Sequence, residues 1–292
     1  MAGFGGSPGG PAAGLTDTGK IKIWALVRDT YGILRKNSRF LVRIAAVPAG
    51  VAFVLLRLSY LALPETADLG RISPEQLIEQ GGAFFAAALA VNLIMAVLTA
   101  AYAVSCHRLV LMGPGAVPRL GIDLGRREGR FILVWIIIMV LMFLISIVPV
   151  VGMAALMGLA QEGESAPLAL LTILAAAAVI ILIYSIFFRF ALALPATAAD
   201  APGGLADRIK DSWRLTKGTA LRIFWAILLA GLLLFIPVLA ATGAVLLIRD
   251  LPGGISIELA LNVVFSYLGA ALLAAMLSLA YQRLAGLSPP PE

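Results

Sequence analysis

The chain has 292 residues, of which 61% are hydrophobic and only 13% are charged, and its formal net charge is +6. Water-soluble domains carry about 25% charged residues, so this composition excludes an ordinary soluble fold. The positive charge predicts contact with anionic lipid headgroups rather than with nucleic acid, because loops of membrane proteins that face such headgroups accumulate lysine and arginine.

The N-terminal segment, residues 1–19, is dominated by glycine, proline and alanine. It lacks the basic start and the apolar stretch of a signal peptide, and its composition predicts a disordered tail. We assign residues 20–285 to a single membrane domain and residues 286–292 to a C-terminal tail.

The segment before the first apolar run predicts an amphipathic helix. Its apolar residues recur at the spacing of one helix face: Trp24, Val27, Tyr31 and Leu34. Such a helix either lies in the membrane interface with its cations near phosphates, or packs its apolar side on the end of the bundle. The sequence leaves both interpretations open. The candidate contacts to anionic lipid or to a partner in this segment are Arg28, Tyr31, Arg35 and Lys36.

Six long apolar runs follow, and a helix needs about 20 apolar residues to cross the roughly 30 Å of a bilayer core. Because water cannot satisfy backbone groups there, each run must be helical. The predicted spans are residues 40–63, 82–105, 131–158, 167–194, 220–248 and 257–282. We therefore predict an all-α fold, a polytopic transmembrane helical bundle with amphipathic elbow helices at one end.

Lysine and arginine fall almost entirely on one side of these spans. Of the 22 basic residues, only Arg57, Arg71 and Arg249 fall on the other side. Because cytoplasmic loops are enriched in basic residues, this asymmetry places both termini in the cytoplasm. The preference for arginine over lysine, with heavy use of alanine and glycine, is typical of bacterial genomes rich in G and C. We expect a multi-pass protein of the bacterial inner membrane.

Few polar or reactive side chains occur within the spans. Asn92 and Asn262 each need a hydrogen-bonding partner there, and we expect interhelical bonds, with the lining of a polar path as the alternative. Cys106 and His107 are the only residues of their types, and we place both at the inner end of the second span, with His107 near headgroups. Neighbouring positions on a helix point about 100° apart, so these two do not form a catalytic dyad. We expect no cofactor, no metal site and no enzymatic activity.

A second amphipathic elbow precedes the fifth span, where Leu205, Ile209 and Trp213 recur every four residues. Cations surround them, and Arg189 and Arg222 stand at the inner ends of the neighbouring spans. These cations and the tryptophan are further candidate contacts to anionic lipid or to a membrane-protein partner: Arg189, Arg208, Lys210, Trp213, Arg214, Lys217 and Arg222.

The two elbows resemble each other, since residues 28–35 (RDTYGILR) align without gaps on residues 210–217 (KDSWRLTK). A fainter echo of basic residues precedes the third span. Proline occurs inside the first, third and fifth spans, at Pro48, Pro149 and Pro237. We hypothesise three units, each an elbow followed by a helical hairpin, packed around a pseudo-threefold axis.

Residues 189–195 (RFALALP), followed by a glycine-containing loop and residues 212–218 (SWRLTKG), carry a family resemblance. This pattern resembles the YciC-like group, which is related to the membrane domain associated with glycerophosphodiester phosphodiesterases. The resemblance implies a six-span bacterial inner-membrane protein with a polar loop and elbow between spans four and five. It implies a fold and a location rather than an activity.

Two functions remain open from the sequence. The first is a scaffold, or a protein that interacts with lipids or partners through its basic elbows. The alternative is an uncoupled transporter or flippase-like protein for a lipid or amphipathic solute, whose proline-bearing helices could bend during gating. A polar cavity that reaches Asn92 or Asn262 would favour the alternative.

Overall fold

The structure is a computed structural model, and it describes residues 21–62, 74–118, 120, 123, 125–162, 166–248, 251, 253–288 and 290. Within these ranges the chain forms helices and turns, and no strand occurs. Six of the helices are long and apolar enough to cross a membrane. The predicted all-α polytopic bundle is therefore confirmed, and the protein is a multi-pass membrane protein.

The helices follow in the order α1 Ile23–Lys36, α2 Ser38–Ala62, α3 Pro74–Met112, α4 Arg126–Glu162, α5 Ala166–Ala191, α6 Ala193–Ala198, α7 Leu205–Leu215, α8 Ala220–Leu246 and α9 Gly254–Leu284. The elbow helices are α1 and α7, and the spans are α2, α3, α4, α5, α8 and α9. We call the end that carries α1, α6, α7 and the last turns of α3 and α9 the basic end.

The second span extends further than its polar residues indicate. We expected it to end at residue 105, but α3 continues to Met112. The polar residues from Ser105 to Arg108 are followed by four more apolar ones, which complete another turn of helix. Cys106 and His107 consequently lie inside a helix and not at its end.

The fourth span is divided near the basic end, where one continuous span to residue 194 was expected. Helix α5 ends at Ala191, and the short helix α6 begins at Ala193. Pro195 has no backbone N–H to donate to the carbonyl of Ala191, and its ring crowds that carbonyl, so the helix breaks here. All six residues of α6 are buried, because α6 packs among α3, α4, α7 and α9.

The six long helices form a closed ring in the order α2, α3, α4, α5, α8 and α9, with α9 packed back on α2. Helices α3 and α9 also pack directly against each other across this ring. Within its most apolar window, 61% of the last span is buried inside the bundle, against 6% for the span that contains α5. Helix α9 is therefore the centre of the fold, and α5 lies at its edge.

The packing of the elbows is consistent with the proposed repeat for two of the three units. Helix α7 packs on α5 and α6, the two helices just before it in the chain. Helix α1 packs on α8 and α9, the two helices that come before its own span, α2, in the order of the closed ring. The second unit differs. Arg126, Arg127 and Arg130 belong to the first turns of α4, and the described residues before them form only a short 3₁₀ turn, Pro114–Ala116. The expectation of an elbow helix in every unit is wrong for this part of the chain.

Candidate functional site

The apolar side of α1 is packed into the basic end. Leu26, Val27 and Leu34 are buried against the bundle, while Trp24 is 69% exposed. The hydroxyl of Tyr31 donates a hydrogen bond to the backbone carbonyl of Ala230 in α8, at 2.8 Å. Burial raises the pKa of Tyr31, because the phenolate would lose its hydration. Of the two interpretations of this segment, packing on the bundle describes the apolar side of α1, from which Trp24 departs by facing outward.

An ion pair joins α1 to the last helix. The carboxylate of Asp29 accepts a hydrogen bond from the guanidinium of Arg283 in α9, and Arg28 Nε lies 3.2 Å from the same carboxylate. The expected lipid contact Arg28 is therefore already paired, although its side chain is 81% exposed. Arg35 and Lys36 are exposed in the last turn of α1, where cations are favoured by the helix dipole.

The elbow α7 is attached to the end of α5 by residues of the two segments 189–195 and 212–218, which carry the family resemblance described above. The helix break after Ala191 leaves terminal carbonyls of α5 without helical donors. Ser212 Oγ donates to the carbonyl of Arg189 at 2.7 Å, and the guanidinium of Arg189 stacks 4.5 Å from the centre of the Trp213 ring. Arg189 and Trp213 thus serve first to join two helices, a role that sequence reasoning did not assign to them.

Arg208 lies inside the protein, although it was one of the candidate contacts to anionic lipid or to a partner. The residue is 5% exposed, and its Nη2 donates to the carbonyl of Ala201. Its Nε and Nη1 are buried and have no hydrogen-bond partner within the described part of the chain. A headgroup at the surface cannot reach this guanidinium without movement of α7.

The other cations of the second elbow are accessible. Lys210, Arg214 and Lys217 are exposed and Arg222 is half-buried. Arg214 pairs with Asp211 in its own helix at 3.0 Å, so part of its charge is already neutralised.

A carboxylate that the sequence analysis did not single out organises the loop after α6. Asp200 has a left-handed backbone with φ of 53°. Its oxygens lie 2.6 Å from Arg127 Nε, 3.4 Å from Arg130 Nη2 and 3.7 Å from Arg108 Nη1. Arg108 also donates to the carbonyls of Ala116 and Ala198, which ties the 3₁₀ turn to α6. A sequence pattern gives no sign that arginines from two other helices meet at this residue.

The two intramembrane asparagines bond within their own helices. Asn92 Nδ2 donates to the carbonyl of Ala88 at 2.7 Å, and Asn262 Oδ1 accepts from Ser266 Oγ at 3.4 Å. Both residues are exposed on the helix surface. Neither contact is the interhelical hydrogen bond that we expected, because both partners belong to the same helix.

Each asparagine lines a cavity between spans. Asn92, Thr99 and His107 contribute the polar groups of a cavity of about 390 Å³ between α3, α4 and α9. Asn262 and Glu258 belong to a second cavity, of about 380 Å³, between α8 and α9. A third, smaller cavity of about 70 Å³ lies between them and is lined by Thr99 of the first and Asn262 of the second. Apolar side chains form most of the walls of the two larger cavities.

His107 is a buried residue of the bundle. It is 2% exposed, and its Nδ1 lies 2.8 Å from Ser278 Oγ in α9. The expectation that it lies near headgroups is wrong, because α3 continues past it and α9 covers it. Among the residues that the structure describes, no group of three or more histidines, cysteines, aspartates or glutamates could hold a metal ion.

Comparison with family models, with curated proteins and with solved structures finds no match to this chain.

Proposed function

We propose that this protein is a non-enzymatic scaffold of the bacterial inner membrane that binds anionic lipid headgroups at its basic end. Both termini would face the cytoplasm, where anionic lipids attract basic segments. Lipid held there would organise the surrounding leaflet or bridge the bundle to a membrane-protein partner. The family-like pattern between α5 and α7 supports membership of the YciC-like group.

The observation that carries this proposal is the surplus of accessible cations at the basic end. Asp29, Asp200 and Asp211 are already engaged by arginines, and Asp207 and Glu128 accept bonds from backbone N–H groups. Four exposed cations of the two elbows and of α2 stand outside these pairs: Arg35, Arg39, Lys210 and Lys217. Phosphate groups of lipids are the counter-ions that such a surface attracts.

A charge-neutralising variant tests the proposal. In the variant, Arg35, Arg39, Lys210 and Lys217 are changed together to glutamine. Each cation near a headgroup surface contributes about 1 kcal/mol, so we expect a clear loss of anionic lipid that co-purifies in mild detergent. A control with Arg35→Lys and Arg39→Lys keeps the charge and should keep the lipid. Unchanged anionic lipid in the glutamine variant would contradict the proposal.

The cavities support a second candidate, an uncoupled transporter or flippase-like protein. Asn92 and Asn262 each reach a cavity within the spans, which is the observation that would favour such a path. A lipid-scrambling assay in proteoliposomes tests it. Movement of a labelled lipid that stops when Ala103, in the wall of the first cavity, is changed to Phe would support transport. An equal rate in protein-free vesicles would exclude it.

A further inference from the structure

One side of α9 borders the cavities within the spans over most of its length. Glu258, Asn262 and Ser266 follow each other at every fourth position, and all three line the cavity of about 380 Å³ between α8 and α9. The same row continues with Ala270 and Ala274, which line the cavity of about 390 Å³ between α3, α4 and α9. The row is therefore polar near the start of α9 and consists of small residues further along.

Beside the two alanines, the polar groups come from α3. Thr99 and His107 line the same cavity as Ala270 and Ala274. Nδ1 of His107 lies 2.8 Å from Ser278 Oγ, and Ser278 follows Ala274 by four positions in the same row. Polar side chains from the two helices thus continue through the bundle toward the basic end, where each of them needs a hydrogen-bonding partner or water.

The small cavity of about 70 Å³ shares wall residues with both of the larger ones. Met95 and Thr99 also line the cavity between α3, α4 and α9, and Asn262 and Ser266 also line the cavity between α8 and α9. The three cavities therefore follow one another along the contact between α3 and α9.

The hydroxyl of Tyr267 indicates what fills the small cavity. The residue is 5% exposed, and its oxygen is buried without a hydrogen-bond partner in the described part of the chain; Thr99 is close but outside normal hydrogen-bonding geometry. A buried polar atom of this kind is normally satisfied by an ordered water. Thr99, Asn262 and Ser266 offer further partners, and a volume of about 70 Å³ holds about two waters.

The walls favour an uncharged occupant. Among the described residues that line the three cavities, Glu258 is the one acidic side chain, and lysine and arginine do not occur. Glu258 and Leu246, the last residue of α8, place the cavity between α8 and α9 at the end of the bundle opposite the basic end. An ion that entered the small cavity would exchange its hydration shell for neutral hydroxyl and amide groups, which desolvation opposes.

We propose that the three cavities form one hydrated cleft, which admits water and small uncharged polar solutes from the end opposite the basic end as far as His107. Four buried side chains close the cleft toward the basic end: His107, Phe131, Leu194 and Leu277. The inference goes beyond the proposed function and is independent of it, because the cleft contains none of the cations that would hold lipid. It differs from lipid movement in the size of what is admitted.

Cysteine labelling tests the hydration, because thiol reagents act on the thiolate, which lipid surroundings disfavour. Cys106, the natural thiol, is changed to alanine, and Ser266→Cys and Val264→Cys are introduced separately into the full-length chain. Val264 is the matched control, because it is 54% exposed, lies about 200° around α9 from Ser266 and lines none of the three cavities. In phosphatidylcholine liposomes, a small uncharged methanethiosulfonate should modify Ser266→Cys at least about tenfold faster than Val264→Cys. Equal rates would overturn the hydrated cleft.

A third position tests whether the cavities are joined. Ala103 lies one helix turn before His107 and lines the cavity between α3, α4 and α9. The uncharged reagent should modify Ala103→Cys, and adding Ser266→Leu, which fills the small cavity, should slow this reaction about tenfold. An unchanged rate would show that the cavities are separate. A charged methanethiosulfonate of the same size should react much more slowly at Ala103→Cys than at Ser266→Cys, and equal reaction would overturn the selection for uncharged solutes.

Tyr267→Phe gives a readout that requires no cysteine. If water satisfies the hydroxyl, its removal loses a hydrogen bond, so the midpoint of thermal unfolding in detergent should not rise. A rise would show that the hydroxyl is dry, which overturns the proposal. The same measurement verifies that the cysteine variants remain packed. None of these outcomes bears on lipid binding at the basic end, so the proposed function is tested separately.

Discussion

The side chains of Asp29 and Arg283, 254 positions apart in the chain, form an ion pair between the first helix and the last. Both side chains are about one-third exposed, so solvent screens the attraction. The pair nevertheless fixes α1 beside α9, where the hydroxyl of Tyr31 reaches α8. Both residues also line a cavity of about 710 Å³ between α1, α3 and α9.

The strength of this ion pair can be measured with a double-mutant cycle. Asp29→Asn and Arg283→Gln are combined, and the free energy of unfolding is measured in detergent with increasing denaturant. We expect a coupling energy of about 0.5 kcal/mol, as for other partly exposed pairs, and a smaller value at high salt. Coupling that does not change with salt would contradict an electrostatic origin.

Tyr31→Phe should destabilise the packing of α1. Loss of the bond to the Ala230 carbonyl removes about 1 kcal/mol from the free energy of unfolding. Because burial raises the pKa of Tyr31, the unfolded chain ionises at lower pH than the folded one. The tyrosine's contribution is therefore complete below about pH 10 and is lost as the pH rises further. The phenylalanine variant should show a smaller loss of stability above pH 10, and an identical pH profile would contradict this assignment.

Substitutions at Asp200 can separate its charge from its backbone conformation. Asp200→Asn keeps a residue that tolerates φ of 53° and removes the charge that faces Arg108, Arg127 and Arg130. Asp200→Ala removes the charge and adds conformational strain. We expect alanine to be less stable than asparagine by about 1 kcal/mol, and glycine to recover that difference. Equal midpoints of thermal unfolding for alanine and glycine would contradict the role of the backbone.

Ser212→Ala should loosen the joint between α5 and α7. The carbonyl of Arg189 loses its 2.7 Å donor and keeps only the longer bond from Thr216 Oγ1 at 3.4 Å. We therefore expect a loss of about 1 kcal/mol, the usual contribution of one such hydrogen bond. Ser146 provides a matched control, because its hydroxyl bonds to the carbonyl of Phe143 in its own exposed helix turn. Ser146→Ala should change stability by no more than about 0.5 kcal/mol. Both are measured by thermal unfolding in the same detergent, and similar shifts would argue against the joint.

Arg208→Met should be tolerated in spite of the depth of the side chain. Nε and Nη1 of Arg208 are buried without partners, so the guanidinium pays a desolvation cost that the bond to Ala201 offsets only in part. An apolar side chain of similar length removes that cost. We expect a free energy of unfolding within about 1 kcal/mol of the parent, or higher. A much larger loss would show that the guanidinium has a partner outside the described residues.

The spans could be predicted from the sequence because the bilayer imposes a length and a composition on any segment that crosses it. The apolar residues of α1 and the alignment of residues 28–35 with 210–217 also located both elbow helices. The division at Pro195 is the exception within a span. It follows from a single missing N–H, which a search for long apolar runs does not detect.

The site was less predictable, because burial of a cation depends on which distant helix covers it. Arg208 and His107 both lie next to polar residues in the sequence, yet both are buried in the folded protein. Asp200 collects arginines that are about 70 or more positions away. These relationships arise from tertiary packing, and the local sequence pattern does not reveal them.

The packing of α1 has a consequence for how the protein is made. Its partner on α9, Arg283, is synthesised 254 residues after Asp29. At about 5–20 residues per second, the first helix waits on the order of 10 to 50 seconds before its final neighbour exists. During biogenesis α1 must therefore rest on the membrane surface or on a chaperone, with Leu26 and Val27 uncovered, until α8 and α9 have been made and can pack against it.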